Sequence, residues 1–586
     1  MMSSKYITLF LFLFILTAPL HSAGQQKRAN KPNILIILSD DQGYGDLSLH
    51  GNPDIKTPVL DKFAREAARF DRFYVSPLCA PTRASLLTGR YHLRTGTVSV
   101  SQGLEIMQSS EVTMAEVFKT NGYKTGLFGK WHNGQHMPNH PMGQGFDEFF
   151  GFCGGHWSNY VDTELEHNGK KVQTTGYITD VLTDEAIGFI ETNKDKPFLC
   201  YVPYNTPHSP HQVPDVYFDK YKAKGLSDEL ASIYGMVDNM DSNIGRLLKK
   251  LDDTGLAEET IVIFLTDNGP NGVRFNGGMK GIKGSVDEGG VRVPCFWRWS
   301  GRITPANITT PGAHIDILPT LVELCGLTNV KTKPMDGMSF APALNGKNLQ
   351  TNRKLYTHVA FPQLPIKTYP GAVRDFPYTL IVGNESVKLY DIRQDSAQQN
   401  DLANEKPEIT SKLKEDYESW FADVTKGIQP MTVIPLNPLS GAIELPTYEA
   451  TFTGNIRFKE GHGWVHDWLV NWKSTSDSIY WEVDSPGKQK YTVYLNYTCP
   501  ANQTGSDIRI SAGPNHVVQQ ISQAFDPPYI PSPDRVTRKE AYERKWKRVK
   551  VGTLLIPAGK TKVIVMAPRI AREEVAEIKS IELVRQ

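Results

Sequence analysis

Three short stretches of the chain are apolar without a break and then turn abruptly polar: NILIILSDD (33–41), FLCYVPYNTPHSPH (198–211) and TIVIFLTDNGPNG (260–272). A strand wetted on one face alternates apolar with polar residues; an unbroken apolar run is a strand covered on both faces. Helical patterns separate these runs. TPVLDKFAREAARF offers Thr57 as N-cap, Pro58 at the first helical position, and Val59, Leu60, Phe63, Ala67 and Phe70 on one face. ELASIYGMVDNMDSNIGRLLKKLDDTG reads as a longer helix stopped near Gly255. Buried strands alternating with helices predict an α/β fold: a large mixed, mostly parallel sheet sandwiched by helices. In such sheets ligands collect beyond the carboxyl ends of the strands. Those ends carry Asp40 and Asp41, Lys130 and His132, His208, and Asp267 and Asn268.

The α/β pattern runs over 31–350 and then changes. YTLIVGNESVKLYDIRQD reads as an antiparallel hairpin and PEITSKLKEDYESWFADVTKG as a terminal helix, so a small α+β subdomain is expected over 351–427. The Pro-rich stretch that follows, 428–450, reads as a linker. DSIYWEVD, KYTVYLNYTC, DIRISAG, VGTLLIP, TKVIVMAP and IKSIELVRQ are then short, β-rich and separated by turn formers, which predicts a β-sandwich over 451–586. At the other end, Lys5 precedes an apolar run from Ile7 to Leu16, and Ser22, Ala23 and Gly24 suit a cleavage site. Residues 1–24 are therefore expected to be a signal peptide, leaving no membrane anchor once removed.

Lys and Arg total 64 against 63 Asp and Glu, so no basic field supports nucleic-acid binding, and any anion site must be local. Six cysteines in an exported chain invite pairing, but they are scattered (Cys79, Cys153, Cys200, Cys295, Cys325, Cys499), and no CxxC offers a zinc ribbon. Sequons at Asn307, Asn384, Asn496 and Asn502 matter only in a glycosylating host.

The polar strand ends carry two kinds of chemistry. Asp40, Asp41, Asp267 and Asn268 are oxygen donors, suited to a hard cation. Each pair has a plainer reading: Asp-Asp as a helix cap, Asp-Asn-Gly as a turn. FGKWHNG sets Lys130 and His132 two apart, on one side if both lie on a strand. NTPHSPH offers His208 and His211, and MKGIKGSVDEGG offers Lys280 and Lys283 among glycines. Lysines beside metal-holding carboxylates make a seat for a tetrahedral oxyanion; singly, each is as readily a surface lysine or a structural histidine. Cys79 opens CAPTRASLLTGR, where Pro81 enforces a turn and the following residues favour a helix whose N-terminus is a natural anion seat. A disulfide or a thiolate nucleophile are the alternatives there.

CAPTRASLLTGR resembles, throughout, the Cys-x-Pro-Ser/Thr-Arg and Thr-Gly-Arg signature of the type I, formylglycine-dependent sulfatases of the alkaline phosphatase superfamily. The pieces NILIILSDDQGYGDL, GYKTGLFGKWHNG, PHSPHQVP, TIVIFLTDNGP, GIKGSVDEGGVRVP and HIDILPTL match in order, so the likeness covers about residues 31–425 and leaves the sandwich outside. The resemblance implies an alkaline-phosphatase-like fold and hydrolysis of sulfate monoesters, on sulfated sugars or glycans. It implies that a formylglycine-generating, or sulfatase-maturating, enzyme converts Cys79 to formylglycine, which removes Cys79 from any disulfide and leaves at most two bridges. Asp40, Asp41, Asp267 and Asn268, with the modified residue 79, would hold one Ca²⁺ per chain. Arg83 would steady the formylglycine hydroxyls, Lys130 and Lys283 (rather than Lys280) would grip sulfate, His132 would be the base on the aldehyde hydrate, and His208 the acid on the leaving oxygen. A serine that some members use has only Ser158 as a guessed counterpart. Substrate choice would rest on loops around His140, His156, Trp157, His211 and Arg274. The sandwich would serve as a carbohydrate-docking module or as a brace, the aromatics of HGWVHDWLVNW and SIYWEVD stacking on sugars or filling its core. The implied address is export, periplasmic first, with extracellular or lysosomal as alternatives. Two rival readings are a phosphoester or phosphonate hydrolase of the same superfamily, and a catalytically silent glycan-binding protein.

Overall fold

The computed structural model describes residues 31–362, 364–428, 433–437 and 441–586. The expected signal peptide lies outside them. A ten-stranded sheet forms the main domain. In chain order its strands are Asn33–Ser39 (β1), Ala68–Phe70 (β2), Lys124–Lys130 (β3), Glu148–Phe152 (β4), Glu164–His167 (β5), Lys170–Gln173 (β6), Phe198–Pro203 (β7), Thr260–Thr266 (β8), Cys295–Arg298 (β9) and Ala306–Ile308 (β10). Their spatial order is β10-β2-β9-β8-β1-β7-β3-β4-β5-β6. The run from β8 through β1, β7 and β3 to β4 is parallel; β9 joins β8 antiparallel.

The three apolar runs are thus neighbours at the centre, with Ile36 opposite both Tyr201 and Ile263. Alternate residues of β1 enter different cores, as a pleated strand demands. Leu35 and Ile37 pack with apolar residues of Pro58–Arg65 (α1), Ile178–Thr192 (α3) and Asp228–Asp253 (α4). Ile34, Ile36 and Leu38 pack with Ala84, Leu86 and Leu87 of Cys79–Thr88 (α2). Each leucine or isoleucine among them contributes about 1.5–3 kcal/mol on burial.

Helix α1 stops earlier than its apolar stripe suggested. Ala67 follows its last turn, and Phe70 belongs to β2, which pairs with β9 and β10. The expected hairpin forms between Tyr378–Val382 and Val387–Asp391, joined by Leu355–His358 and Gly371–Asp375 in a four-stranded antiparallel sheet. The terminal helix, Pro407–Val424 (α5), packs Leu413, Tyr417, Trp420 and Phe421 on that sheet. Tyr417 fills the space where a Cβ at Gly371 would sit, 2.0 Å from its hydroxyl oxygen.

The C-terminal strands build two sheets around one apolar core. The stretch expected to be a linker is not wholly unstructured. Ile434–Pro435 pairs with Val483 and Asp484, and Ala442–Pro446 with Ser580–Val584, because apolar residues of this Pro-rich stretch (Ile434, Leu436, Ile443, Leu445) are buried in the sandwich. Trp468, Trp472 and Trp481 are buried, and Trp464 is partly exposed. No disulfide joins any of the six cysteines. Among the described residues no helix is long and apolar enough to cross a membrane.

Candidate active site

Parallel strands deliver their carboxyl ends to one rim, and the polar residues arrive there together. Asp40 and Asp41 follow β1, and Asp267 and Asn268 follow β8; the Asp267 amide donates to Ser39 O at 3.1 Å. Asp41 takes φ 63°, a left-handed bend that Asp tolerates better than most residues, and its amide donates to Asp267 Oδ1 at 3.2 Å. Asn268 Nδ2 donates to Asp41 Oδ1 at 2.8 Å. Lys130 closes β3 after Gly129, whose φ of 141° and close approach to Pro203 O leave no room for a Cβ. Strand β3 ends at Lys130, so the two-residue spacing does not put His132 on a strand with it. His132 lies beyond, at φ 66°.

Helix α2 starts at Cys79, with Leu78 as a cap that offers no side-chain acceptor, and ends at Gly89 in the left-handed conformation. Cys79 Sγ, an Asp40 oxygen and an Asp267 oxygen lie within 4.8 Å of one another, as do ligand atoms of Asp40, Asp41 and His208. Arg83, one turn along, is fully buried. Its Nη2 and Nε donate to Asp267 Oδ2 at 2.8 and 3.2 Å, and its Nη1 donates to Lys130 O at 2.8 Å. Lys130 Nζ stands 2.6 Å from Asp40 Oδ2, and Lys283 Nζ 2.6 Å from Asp41 Oδ1. The glycine-rich loop carrying Lys283 is tied back to the cysteine by a Gly284 N–H to Pro77 O bond of 2.9 Å. The small subdomain braces it through Arg374, which bonds Glu288 Oε1 at 3.1 Å and Val286 O at 2.8 Å. Lys280, by contrast, turns to Asp287 at 3.4 Å.

Cations surround the carboxylates closely enough to set their ionisation. Burial alone would raise the Asp40 carboxyl, but Lys130, His208, Arg83 and Lys283 together hold it well below the usual range. Asp41 is lowered the same way, with Lys283 and His208 outweighing burial. Asp267 goes the other way, pushed up to about 7 by burial and by Asp40 across from it. Burial pushes the Cys79 thiol up against the pull of Lys130 and Lys283, so an unmodified Cys79 is no ready thiolate. Asp40 Oδ1, Asp41 Oδ2 and Asn268 Oδ1 are buried without a hydrogen-bond partner. Orphaned oxygens in an all-oxygen set fit a hard divalent cation and do not suit zinc.

Both histidines near the cluster are tautomerically fixed. His132 Nε2 lies 2.9 Å from Val100 O and must carry the proton, since a carbonyl only accepts; Nδ1 is buried and unpartnered. His208 Nδ1 donates to Ser209 O at 2.7 Å, leaving Nε2 3.7 Å from Asp41 Oδ2. Burial, then Lys283, lowers the His208 pKa, while Asp41 and Asp40 oppose them.

Of the loop residues expected to meet substrate, His140 is engaged by Glu166 at 2.7 Å, and the Arg274 side chain, 2% exposed, lies on Asp46 and on Asp41 O at 2.8 Å. Arg274 therefore holds the β1 turn rather than a ligand. Trp157 packs edge-on against His466 at 4.4 Å, and the His156 ring lies parallel to that of His208 at 6.3 Å. His211 lies near enough to Arg274, Glu540 and His208 to feel their charges. Ser158 is buried with an unpartnered hydroxyl.

With this geometry in hand, comparison with known proteins is decisive. Residues 32–327 match the family model described as Sulfatase. The chain belongs to the sulfatase family. This sulfatase is 33% identical to human arylsulfatase A over 382 residues, covering 57% of this chain and 72% of that one. It is likewise 33% identical to N-acetylgalactosamine-6-sulfatase of Canis lupus familiaris over 384 residues, 59% of this chain and 71% of that one. Among solved structures it is similar to Ps i-CgsB in complex with k-i-k-neocarrahexaose, with TM-score 0.63, 29% identity, and coverage of 69% of this chain and 95% of that one. The fold of the sulfatase is accordingly the mixed, mostly parallel, alkaline-phosphatase-like one, with additional antiparallel sheets at its C-terminus.

Proposed function

We propose that this sulfatase is an exported, formylglycine- and calcium-dependent hydrolase of sulfate monoesters on carbohydrates, acting in the periplasm after a maturating enzyme has oxidised Cys79. The convergence of Asp40, Asp41, Asp267, Asn268, Lys130, Lys283 and His208 on the start of α2, where Cys79 sits, is the observation that supports this reading most strongly. Asp40, Asp41, Asp267 and Asn268 would hold the ion, which when bound supplies a doubly charged Lewis acid facing the sulfate. Residue 79, once oxidised, supplies a hydrated aldehyde as nucleophile.

The chain's own side chains do the rest. Lys130 and Lys283 present ammonium groups to sulfate oxygens, in a dry setting where each is worth more than in water. His208, whose Nδ1 donates to Ser209 O, would deliver a second proton from Nε2 to the departing sugar oxygen; burial and Lys283 work against that charged form, and the Asp41 and Asp40 carboxylates work for it. His132 offers the Nδ1 lone pair as a proton acceptor for the release half of the cycle, because Val100 O pins its other nitrogen. Arg83 holds Asp267 and the Lys130 carbonyl in place. The carbohydrate assignment draws on Ps i-CgsB, whose structure is in complex with k-i-k-neocarrahexaose.

The test is the mass of the peptide containing Cys79, paired with turnover of matched sulfate and phosphate monoesters. The expected results are a peptide in which CH2SH has become CHO, preference for sulfate, and no turnover by Cys79→Ala in a folded protein. An unmodified cysteine in an active enzyme, or preference for phosphate, would overturn the proposal.

A further inference from the structure

Residues 521–546 run without a regular strand between Asn515–Gln520 and Lys547–Ile556 of the sandwich. Segments this long without regular structure are uncommon inside a compact domain. This one crosses to the main domain at the loop that carries His208. Arg535 Nη1 donates to Val213 O at 2.7 Å, and Gln212 Nε2 donates to Ser532 Oγ and Asp534 Oδ1, both at 2.8 Å. Arg538 reaches the Ser158 carbonyl while fixed by Asp534 Oδ1 at 2.8 Å. Glu540 accepts from the hydroxyl of Ser209, the residue whose carbonyl orients His208. A second sandwich loop arrives alongside. Gly463 and Val465 share a small cavity with His132 and Gly155, and Trp464 stands edge-on to His156 at 6.4 Å while stacking on His462 at 4.3 Å.

Glu540 is buried, yet among the described residues no lysine or arginine nitrogen comes within ion-pair distance of it. The nearby Arg538 is already spent on Asp534. Beside Glu540 stands His156, itself buried, with an unpartnered Nε2. A carboxylate without a cation and an imidazole nitrogen without a partner form a polar pair with unused capacity, beside the ring of His208. Trp464, partly exposed, adds an aromatic face. Polar anchors beside an aromatic platform suit a sugar ring, whose hydroxyls donate and whose C–H face stacks.

We infer that the C-terminal sandwich completes the active site by forming, with His156, a saccharide subsite next to His208, in which Glu540 accepts a hydroxyl of the ring that bears the sulfate. This rests on the sulfatase reading of the main site. The negative charge of Glu540 selects a neutral or amino sugar and disfavours a uronate at that position. Burial raises the Glu540 carboxyl, but His156, Ser209 and His208 lower it further, keeping it an acceptor.

The experiment compares full-length wild type, Glu540→Gln and Glu540→Ala on p-nitrophenyl sulfate, which lacks ring hydroxyls, and on sulfated neutral, amino and uronate monosaccharides. The expected result is that kcat/KM for the best sugar falls about 10- to 100-fold more than for the aryl sulfate in Glu540→Ala, chiefly through KM. Glu540→Gln, which keeps the shape and one acceptor oxygen, should fall less, and it carries the test if the alanine variant does not fold. Equal losses on both substrates would mean that Glu540 acts through His208 or the fold, and would overturn the subsite. So would an unchanged sugar-to-aryl ratio, or a uronate as best substrate. Wild type that cleaves the aryl ester and none of the sugars rejects the carbohydrate reading and the subsite together. Wild type that cleaves sugars with a Glu540-independent ratio rejects the subsite alone.

Discussion

Arg83 allows the charge and the geometry of the site to be separated. Its guanidinium meets three demands at once: two contacts to Asp267 Oδ2, one to the carbonyl of Lys130, and a place 3.7 Å from Asp40 Oδ2. None of these groups touches water. Arg83→Lys keeps the cation but has one nitrogen where three donors worked, and it cannot span from Asp267 to the carbonyl. One buried acceptor is then left unsatisfied, at about 1–3 kcal/mol. Arg83→Met fills similar volume with no charge. Lys130 is already committed to Asp40 at 2.6 Å, so at pH 8, above the value of about 7 to which the Asp267 carboxyl is pushed, Asp267 loses its closest cation and must stay a buried unpaired charge or take up a proton, at a cost of up to about 3–5 kcal/mol. The assay is urea unfolding in the presence of chelator, so that only the chain's own contacts are read. It follows hydrogen exchange of the peptide carrying buried Trp131, next to Lys130, to isolate the transition of the main domain. The expected order is wild type, then lysine, then methionine, with a gap of about 2 kcal/mol between the variants. A methionine variant as stable as the lysine one would show that the pair is not held by charge, and the electrostatic account of this cluster would fail.

Three further outcomes follow from the same geometry. Calcium restored to chelated protein at about 100 times its Kd should stabilise it by ~2.7 kcal/mol, read as a rise in melting temperature; no rise with calcium would remove the metal assignment. His208→Ala should cost about 10²–10⁴ in kcat on a sugar sulfate, whose alkoxide needs a proton, and markedly less on an aryl sulfate with an acidic phenol; equal losses would argue against a leaving-group acid. Burial, aided by nearby Glu449, pushes Glu105 from its ordinary value of 4.5 up to about 7. The folded protein holds that proton over a range in which the unfolded chain has lost it, so this group's contribution falls as pH rises from 4.5 to about 7. Glu105→Gln should therefore gain ~3 kcal/mol at pH 8 and nothing near pH 4, a difference that denaturant midpoints at the two pH values will detect.

The centre of the sheet was legible because β1, β7 and β8 are buried on both faces and so carry no charged residue until they end. The same rule that marked β1 and β8 also marked Asp40, Asp41, Asp267 and Asn268, since the first polar residues past a parallel strand stand on the ligand-binding rim. Lys283 was separable from Lys280 only through the family resemblance; spacing among glycines says nothing about which lysine turns inward. Period failed where two periods coincide. Phe63, Ala67 and Phe70 fit a helical stripe, while Ala68 and Phe70 fit an alternating strand, and pairing with β9 and β10 decided for the strand. His132 was misread locally for a related reason: a two-residue spacing predicts a shared side only while the strand lasts, and β3 stops at Lys130.

What the sequence could not disclose is the part of the site that comes from far along the chain. Ser209 and Glu540 are 331 residues apart, and Gln212 and Asp534 are 322 apart. Neither Glu540 nor Arg538 sits at a strand end or in a glycine-rich turn, so each reads as an ordinary charge in a loop, and only docking of one domain on another gives it a role. Evolution can alter such a loop without disturbing the parallel sheet, because none of the contacts among Asp40, Asp267, Arg83 and Lys130 pass through it. On the proposed reading, the rim that would handle sulfate is built from strand ends locked in register by the core, while the wall that would face the sugar is built from an irregular segment of the sandwich. Such a division lets the chemistry stay fixed while the accepted sugar changes, and it places specificity determinants where a residue's own neighbours in the chain give no sign of them.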